Sequence, residues 1–210
     1  MTNVLKPNEV LFLLLDDYAD HEPAFLSEAL RCDERAVKTA PKYLNKTVAP
    51  SLAAVRSCGG FHTLPDYAFD TMPDDFAALI LIGGFGWMNP EADRVAPIVE
   101  KALARGAAVG AICNAASFLA KHGFLNQVRH TGNGLEQLKL WGGDRYTNAA
   151  GYVNAQAVRD GKTVTANGSG YLEFTRELLL LLENDTPENI ERFYRFNKEG
   201  FVKLMGMPAE

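Results

Sequence analysis

Gly110-Ala111-Ile112-Cys113-Asn114-Ala115, together with the apolar residues 107–112 that lead into it, is the stretch that decides the architecture. Residues 107–112 read as a buried strand and a helix begins near Asn114, so Cys113 falls on a sharp strand-to-helix turn, a nucleophile elbow. Ala111 and Ala115, two before and two after the cysteine, are small, as a strained turn requires where its backbone leaves no room for side chains. Such a turn lifts one side chain out at the carboxyl end of the strand. It also sets that side chain over the first unpaired N–H groups of the helix, whose partial positive charge favours a thiolate. The expectation is an anionic nucleophile with a depressed pKa. The plain alternative is a small apolar residue packed at a strand end.

Outward from the elbow, further short apolar runs read as strands at 10–15 and 77–82, and more weakly at 37–40, 53–57 and 162–166. Helical segments lie between or after them at 22–31, 92–105, 115–121 and 171–183. Strands alternating with helices imply βαβ units, hence an α/β fold with a mainly parallel sheet covered on both faces. Residues 156–160 and 162–166 look like a hairpin turned at Asp160-Gly161, and 45–50 is left open. Thr186-Pro187 marks a helix start, with threonine as N-cap and proline in the first turn. The helix then carries Ile190, Phe193, Tyr194 and Phe196.

With 210 residues, 47% of them hydrophobic, and no linker-like shift in composition, the chain is expected to form one domain, with a core of about residues 8–184 and a helical extension of about 186–205. Its net charge of −5 and scattered basic residues argue against nucleic acid and acidic membrane surfaces as partners and leave a small-molecule substrate. No apolar run approaches the roughly twenty residues needed to span a bilayer, and the first residues lack a signal-peptide pattern, so a cytoplasmic location is expected. Cys32, Cys58 and Cys113 are an odd set without paired spacing. Free thiols are expected, with no disulfide framework, no metal site and no cofactor.

In an open parallel sheet ligands bind beyond the carboxyl ends of the strands. After the first strand comes Asp16-Asp17-Tyr18-Ala19-Asp20-His21-Glu22, where Glu22 either complements the helix dipole or reaches Cys113, keeps its proton beside the thiolate and donates to the sulfur. After residues 77–82 comes Gly83-Gly84-Phe85-Gly86-Trp87. There the N–H of Gly84, with that of Asn114, is a candidate oxyanion hole, while Gly83 and Trp87 are candidates to line the pocket. His130, in Arg129-His130-Thr131-Gly132-Asn133-Gly134, is a candidate proton shuttle, or a structurally bonded histidine. Asn167-Gly168-Ser169-Gly170 is either an anion-holding loop or a plain one.

Three blocks carry a family likeness: Leu79-Ile80-Leu81-Ile82-Gly83-Gly84, then Ala111-Ile112-Cys113 with Leu119-Ala120 and Gly123-Phe124-Leu125, then Val164-Thr165-Ala166-Asn167-Gly168. From about residue 10 to 182 the chain resembles the PfpI-like family. That family includes intracellular cysteine peptidases and the parkinsonism-associated deglycase, and it belongs to the class I glutamine amidotransferase-like superfamily. The resemblance implies a flavodoxin-like three-layer sandwich, a homodimer, Cys113 as nucleophile, Glu22 as its acidic partner and Gly84 in the oxyanion hole. Where the family's peptidases have histidine directly after the cysteine this chain has Asn114, which cannot act as a base, and no histidine follows His130 as glutamine amidotransferases require. Both of those activities are therefore disfavoured. The expected function is a cysteine-dependent hydrolase or lyase acting on a small carbonyl or amide compound. The rivals are a redox or stress sensor with an oxidisable cysteine, and an inert scaffold.

Overall fold

The computed structural model describes residues 8–32 and 40–206. Along the chain run β1 (Asn8–Leu13), α1 (His21–Arg31), β2 (Tyr43–Ala49), the short β3 (Val55–Arg56) and β4 (His62–Thr63), β5 (Tyr67–Ala68), β6 (Ala78–Leu81), α2 (Ala96–Ala104), β7 (Ala108–Ile112), α3 (Asn114–Lys121), α4 (Leu135–Gly142), β8 (Ala157–Asp160), β9 (Thr163–Ala166), α5 (Tyr171–Leu181), α6 (Pro187–Glu199) and α7 (Phe201–Leu204). Seven of the strands form one sheet in the order β5-β2-β1-β6-β7-β9-β8. All neighbours are parallel except β8, which turns back antiparallel on β9.

Strand periodicity divides the core into two layers. Val10 and Phe12 of β1 face a cluster with Leu26 and Leu30 of α1 and Phe174 and Leu178 of α5. Leu11 and Leu13 face the opposite cluster, with Val99 of α2 and Phe118 and Leu119 of α3. Because both faces are covered, the central strands need no polar alternation, and all four residues of β6 and all five of β7 are buried. The result is a flavodoxin-like three-layer α/β sandwich. Among the described residues no helix is long and apolar enough to cross a membrane.

The hairpin at Asp160-Gly161 is present, with Val158 opposite Thr165. Thr186 caps α6 by accepting the Asn189 N–H, and Pro187 lies in the first turn. Other expectations need correcting. The strand at 37–40 falls on residues outside those described, apart from Ala40, which lies in a bend. The strand at 53–57 shrinks to β3, which pairs with β4 instead of joining the sheet. Its backbone is used otherwise: the Asp17 N–H donates to Arg56 O at 2.7 Å and the Cys58 N–H to Tyr18 O at 2.8 Å, tying the hairpin to the loop after β1. The open segment 45–50 becomes β2, beside β1. Its Asn45, Lys46 and Thr47 stay compatible with a strand because each finds a partner, in Ser27 O, Asp66 and Asp66 respectively.

Candidate active site

The carboxyl ends of β1, β6, β7 and β9 bring four loops together, and Cys113 stands at their centre. Its backbone has φ 60° and ψ −127°, a conformation that costs a non-glycine residue on the order of 1–3 kcal/mol. Neighbouring contacts hold it there. The Cys113 N–H donates to Ala166 O at 3.0 Å, and Ala111 and Ala115 are fully buried against the turn. The cysteine side chain is half-buried.

Glu22, in the first turn of α1, is the acid beside it. The carboxyl is 1% exposed, and its Oε2 accepts the Gly83 N–H at 2.6 Å. Oε1 is buried with no hydrogen-bond partner among the described residues. Burial raises the Glu22 pKa to about 7, against the pull of the Gly83 N–H and of the neighbouring Cys113 side chain. Gly83 is the spacer between the two groups. A Cβ at that position would come 2.5 Å from Cys113 Cβ and 2.6 Å from Glu22 Oε2, so no other residue fits.

Gly84 has φ 137°, and a Cβ there would meet Asp17 O at 2.2 Å. Its carbonyl accepts from Asn114 Nδ2 at 2.9 Å, which fixes the peptide that leaves the glycine pair. The flanking bonds, Ala19 N–H to Gly83 O and Phe85 N–H to Asp17 O, bypass the Gly84 N–H, which has no backbone acceptor among the described residues.

The sulfur has a partner that the sequence reading passed over. Asn133 Nδ2 donates to Cys113 Sγ at 3.3 Å, while Asn133 Oδ1 accepts the Gly168 N–H at 2.9 Å. Asn114 Oδ1 in turn accepts from Gln137 Nε2 at 2.8 Å. Gly168 backs the sulfur closely, since a Cβ on it would lie 3.1 Å from Sγ, and its carbonyl meets His21 Nε2 at 3.2 Å. The loop 167–170 is therefore a plain structural loop whose N–H groups are taken by Gln156 O, by Asn133 and within the loop itself. Gln137 is carried by α4, which begins two residues after Asn133.

Burial pushes the Cys113 thiol up. Asn133 and the Asn114 N–H act against that shift, and an ionised Glu22 adds to it. The depressed thiol expected from the helix terminus alone is thus reversed in direction, because the cysteine is enclosed and shares its site with a carboxyl. The two groups titrate as a pair.

Two expected site residues lie elsewhere. His130 is wholly buried; its Nδ1 meets Val128 O at 2.8 Å and its Nε2 meets the Tyr146 hydroxyl at 2.6 Å. A carbonyl can only accept, so Nδ1 carries the ring proton and donates, while Nε2 accepts a hydrogen bond from the Tyr146 hydroxyl. Burial lowers the His130 pKa and pushes Tyr146 up to about 12, which keeps both neutral. With both nitrogens engaged, His130 is a structural residue and no shuttle for Cys113. Trp87 is 2% exposed, donates Nε1–H to Ile82 O at 2.6 Å and stacks at a tilt on Phe118, so it packs in the core and does not wall the pocket. A cavity of about 750 Å³ between α1, α5 and α6, lined by Phe25, Leu179 and Phe193 among others, lies apart from Cys113 and Glu22.

Residues 8–181 match the model of the DJ-1/PfpI family. The chain belongs to the DJ-1/PfpI family. It is 39% identical over 194 residues to the "Uncharacterized protease YdeA" of Bacillus subtilis, a match covering 92% of each chain. Among solved structures it resembles the DJ-1 superfamily protein Atu0886 from Agrobacterium tumefaciens, with TM-score 0.80, 33% identity and coverage of 91% of this chain and 98% of that one. A thiJ/pfpI family protein from Bacillus anthracis superposes with TM-score 0.84 at 26% identity, covering 96% of this chain and 95% of that one. The family likeness that the elbow and the two flanking blocks carried in the sequence is thereby shown, and so is the flavodoxin-like fold.

Proposed function

We propose that this DJ-1/PfpI family member is a cysteine-dependent hydrolase or lyase that acts on a small carbonyl or amide compound through a covalent adduct at Cys113. The observation that carries the reading is the buried Glu22, its pKa raised to about 7 and one oxygen unpartnered, set against a cysteine on a strained elbow.

In the addition step the Glu22 carboxylate takes the thiol proton as the sulfur attacks. An S–C bond forms, the π pair of the carbonyl moves onto its oxygen, and the N–H groups of Gly84 and Asn114 receive the oxyanion. The proton on Glu22 is then delivered to that oxygen. Glu22 serves as base and then acid, which requires a pKa near the working pH.

YdeA is named a protease, and peptide-bond hydrolysis is the function this chain's site supports least. A peptidase must protonate a departing amine, and the position that would offer an imidazole holds Asn114, whose two amide atoms are engaged by Gly84 O and Gln137. His130 is committed to Val128 and Tyr146. Addition to a small aldehyde or ketone has no leaving group and needs only the proton that Glu22 carries from the thiol to the carbonyl oxygen.

The test is turnover of a panel of small aldehydes and amides, with adducts followed by intact mass. Cys113→Ala should abolish turnover by more than about a thousandfold and remove the adduct while the far-UV spectrum stays unchanged. Turnover surviving that substitution would overturn the reading.

A further inference from the structure

We propose that Asn133 is a positioning residue for the nucleophile: its amide holds the Cys113 sulfur as a hydrogen-bond acceptor and sustains thiolate character in a site where burial and Glu22 oppose it. The inference rests on the reading of Cys113 as nucleophile and adds to it a group that neither the elbow nor the acid supplies.

The geometry fixes which end of the amide meets the sulfur. Asn133 Oδ1 accepts the Gly168 N–H at 2.9 Å, and Gly168 N–H is a donor with no freedom to become an acceptor. Turning the carboxamide over would set two donors against each other there and an oxygen lone pair against the sulfur. The Nδ2–H2 end therefore faces Cys113 Sγ at 3.3 Å, and it also points toward Asn114 Oδ1 at 3.5 Å. Gly168 is itself held from the other side by His21, so the clamp on Asn133 does not depend on the exposed side chain alone.

A fixed N–H donor stabilises the sulfur more when it carries charge than when it carries a proton, because a charge-assisted hydrogen bond is roughly twice as strong as a neutral one. An amide also has no titration of its own, so it does this at every pH. The ionisable groups that face the sulfur are Glu22 from α1 and, beyond the Gly168 carbonyl, His21. Of these, an ionised Glu22 opposes an anion on the sulfur. The donors that favour it are Asn133 and the Asn114 N–H.

The test is the rate of Cys113 carbamidomethylation by iodoacetamide against pH, read by peptide mapping on the full chain, for wild type, Asn133→Ala, Asn133→Asp and Asn133→His. The alanine variant should raise the apparent thiol pKa by about one unit and slow labelling at neutral pH roughly three- to tenfold. Asn133→Asp, which keeps the size but turns a carboxylate to the sulfur, should raise it further. Asn133→His, which restores an N–H donor, should recover part of the loss. Thermal unfolding controls for the fold, and a structural role alone would move the melting temperature without moving the titration. Profiles of the alanine and aspartate variants that superpose on wild type would overturn the proposal, as would faster labelling at all pH values with an unmoved midpoint, the mark of a mere cover. A wild-type Cys113 that resists labelling altogether would defeat the nucleophile reading as well, which separates the two failures.

Discussion

At Cys58 the sulfur donates its proton to Asp17 O at 2.9 Å, whereas at Cys113 the sulfur accepts an N–H from Asn133 at 3.3 Å. Both thiols sit beyond the carboxyl ends of the sheet, and burial pushes both up. Cys58 is the more exposed, yet Asp17 and Asp20 add their charges against its ionisation and its proton is committed to a carbonyl. The direction of one hydrogen bond separates a thiol whose proton is held by a carbonyl from one whose sulfur is held by a donor. Exposure alone would have ranked them the other way round.

The largest blow to that contrast is Gly83→Ala. The added methyl has no space between Cys113 Cβ and Glu22 Oε2, so the two groups must part. Stability should fall by about 1–3 kcal/mol, and in a brief iodoacetamide pulse the ratio of Cys113 to Cys58 labelling should depart from that of wild type. A variant that labels like wild type would show that the contact between acid and nucleophile contributes nothing.

Glu22→Gln sharpens the comparison. The coupled pair should give Cys113 two inflections in its labelling profile, and the glutamine variant one, with turnover of any substrate down by about 10²–10⁴. The same residue links pH to stability. Its folded pKa of about 7 lies above the ordinary 4.5, so the folded state binds the proton more tightly. The contribution is full below pH 4.5 and is lost as pH rises to 7, by up to about 3 kcal/mol. Wild-type melting temperatures should therefore fall across that window relative to Glu22→Gln; parallel curves would deny the raised pKa.

The smallest effect on the thiol belongs to His130→Phe. The buried bonds to Val128 and Tyr146 should cost about 1–3 kcal/mol of stability when broken. Cys113 labelling should be unchanged, and a shifted profile would return His130 to the site.

Much of the fold was legible because its signals are local. Continuous apolar runs mark β1, β6 and β7, Thr186-Pro187 marks the start of α6, and Asp160-Gly161 marks the hairpin. β2 was obscured because Asn45, Lys46 and Thr47 look like loop residues until their partners on α1 and at Asp66 are known. At the site the elbow could be read from its small residues and its strand-to-helix position, whereas Glu22 in the first turn of a helix had the dipole as an equal use until the family resemblance favoured Cys113. Asn133 could not be read, because an amide carries no chemical signature in sequence and its contact with Cys113 joins segments 20 positions apart. His130 and Trp87 misled for the converse reason: both are reactive or bulky types whose polar atoms turned out to be satisfied inside the core.

The surroundings of the sulfur are gathered from far along the chain. α1 supplies the acid, the segment before α4 supplies the amide, and the turn after β9 supplies the wall, with His21 reaching Gly168 across 147 positions. No partly assembled intermediate lacking β9 can present that environment. The labelling rate of Cys113 therefore reports on refolding: it is that of an open thiol until these distant segments close, and that of the enclosed, paired one afterwards.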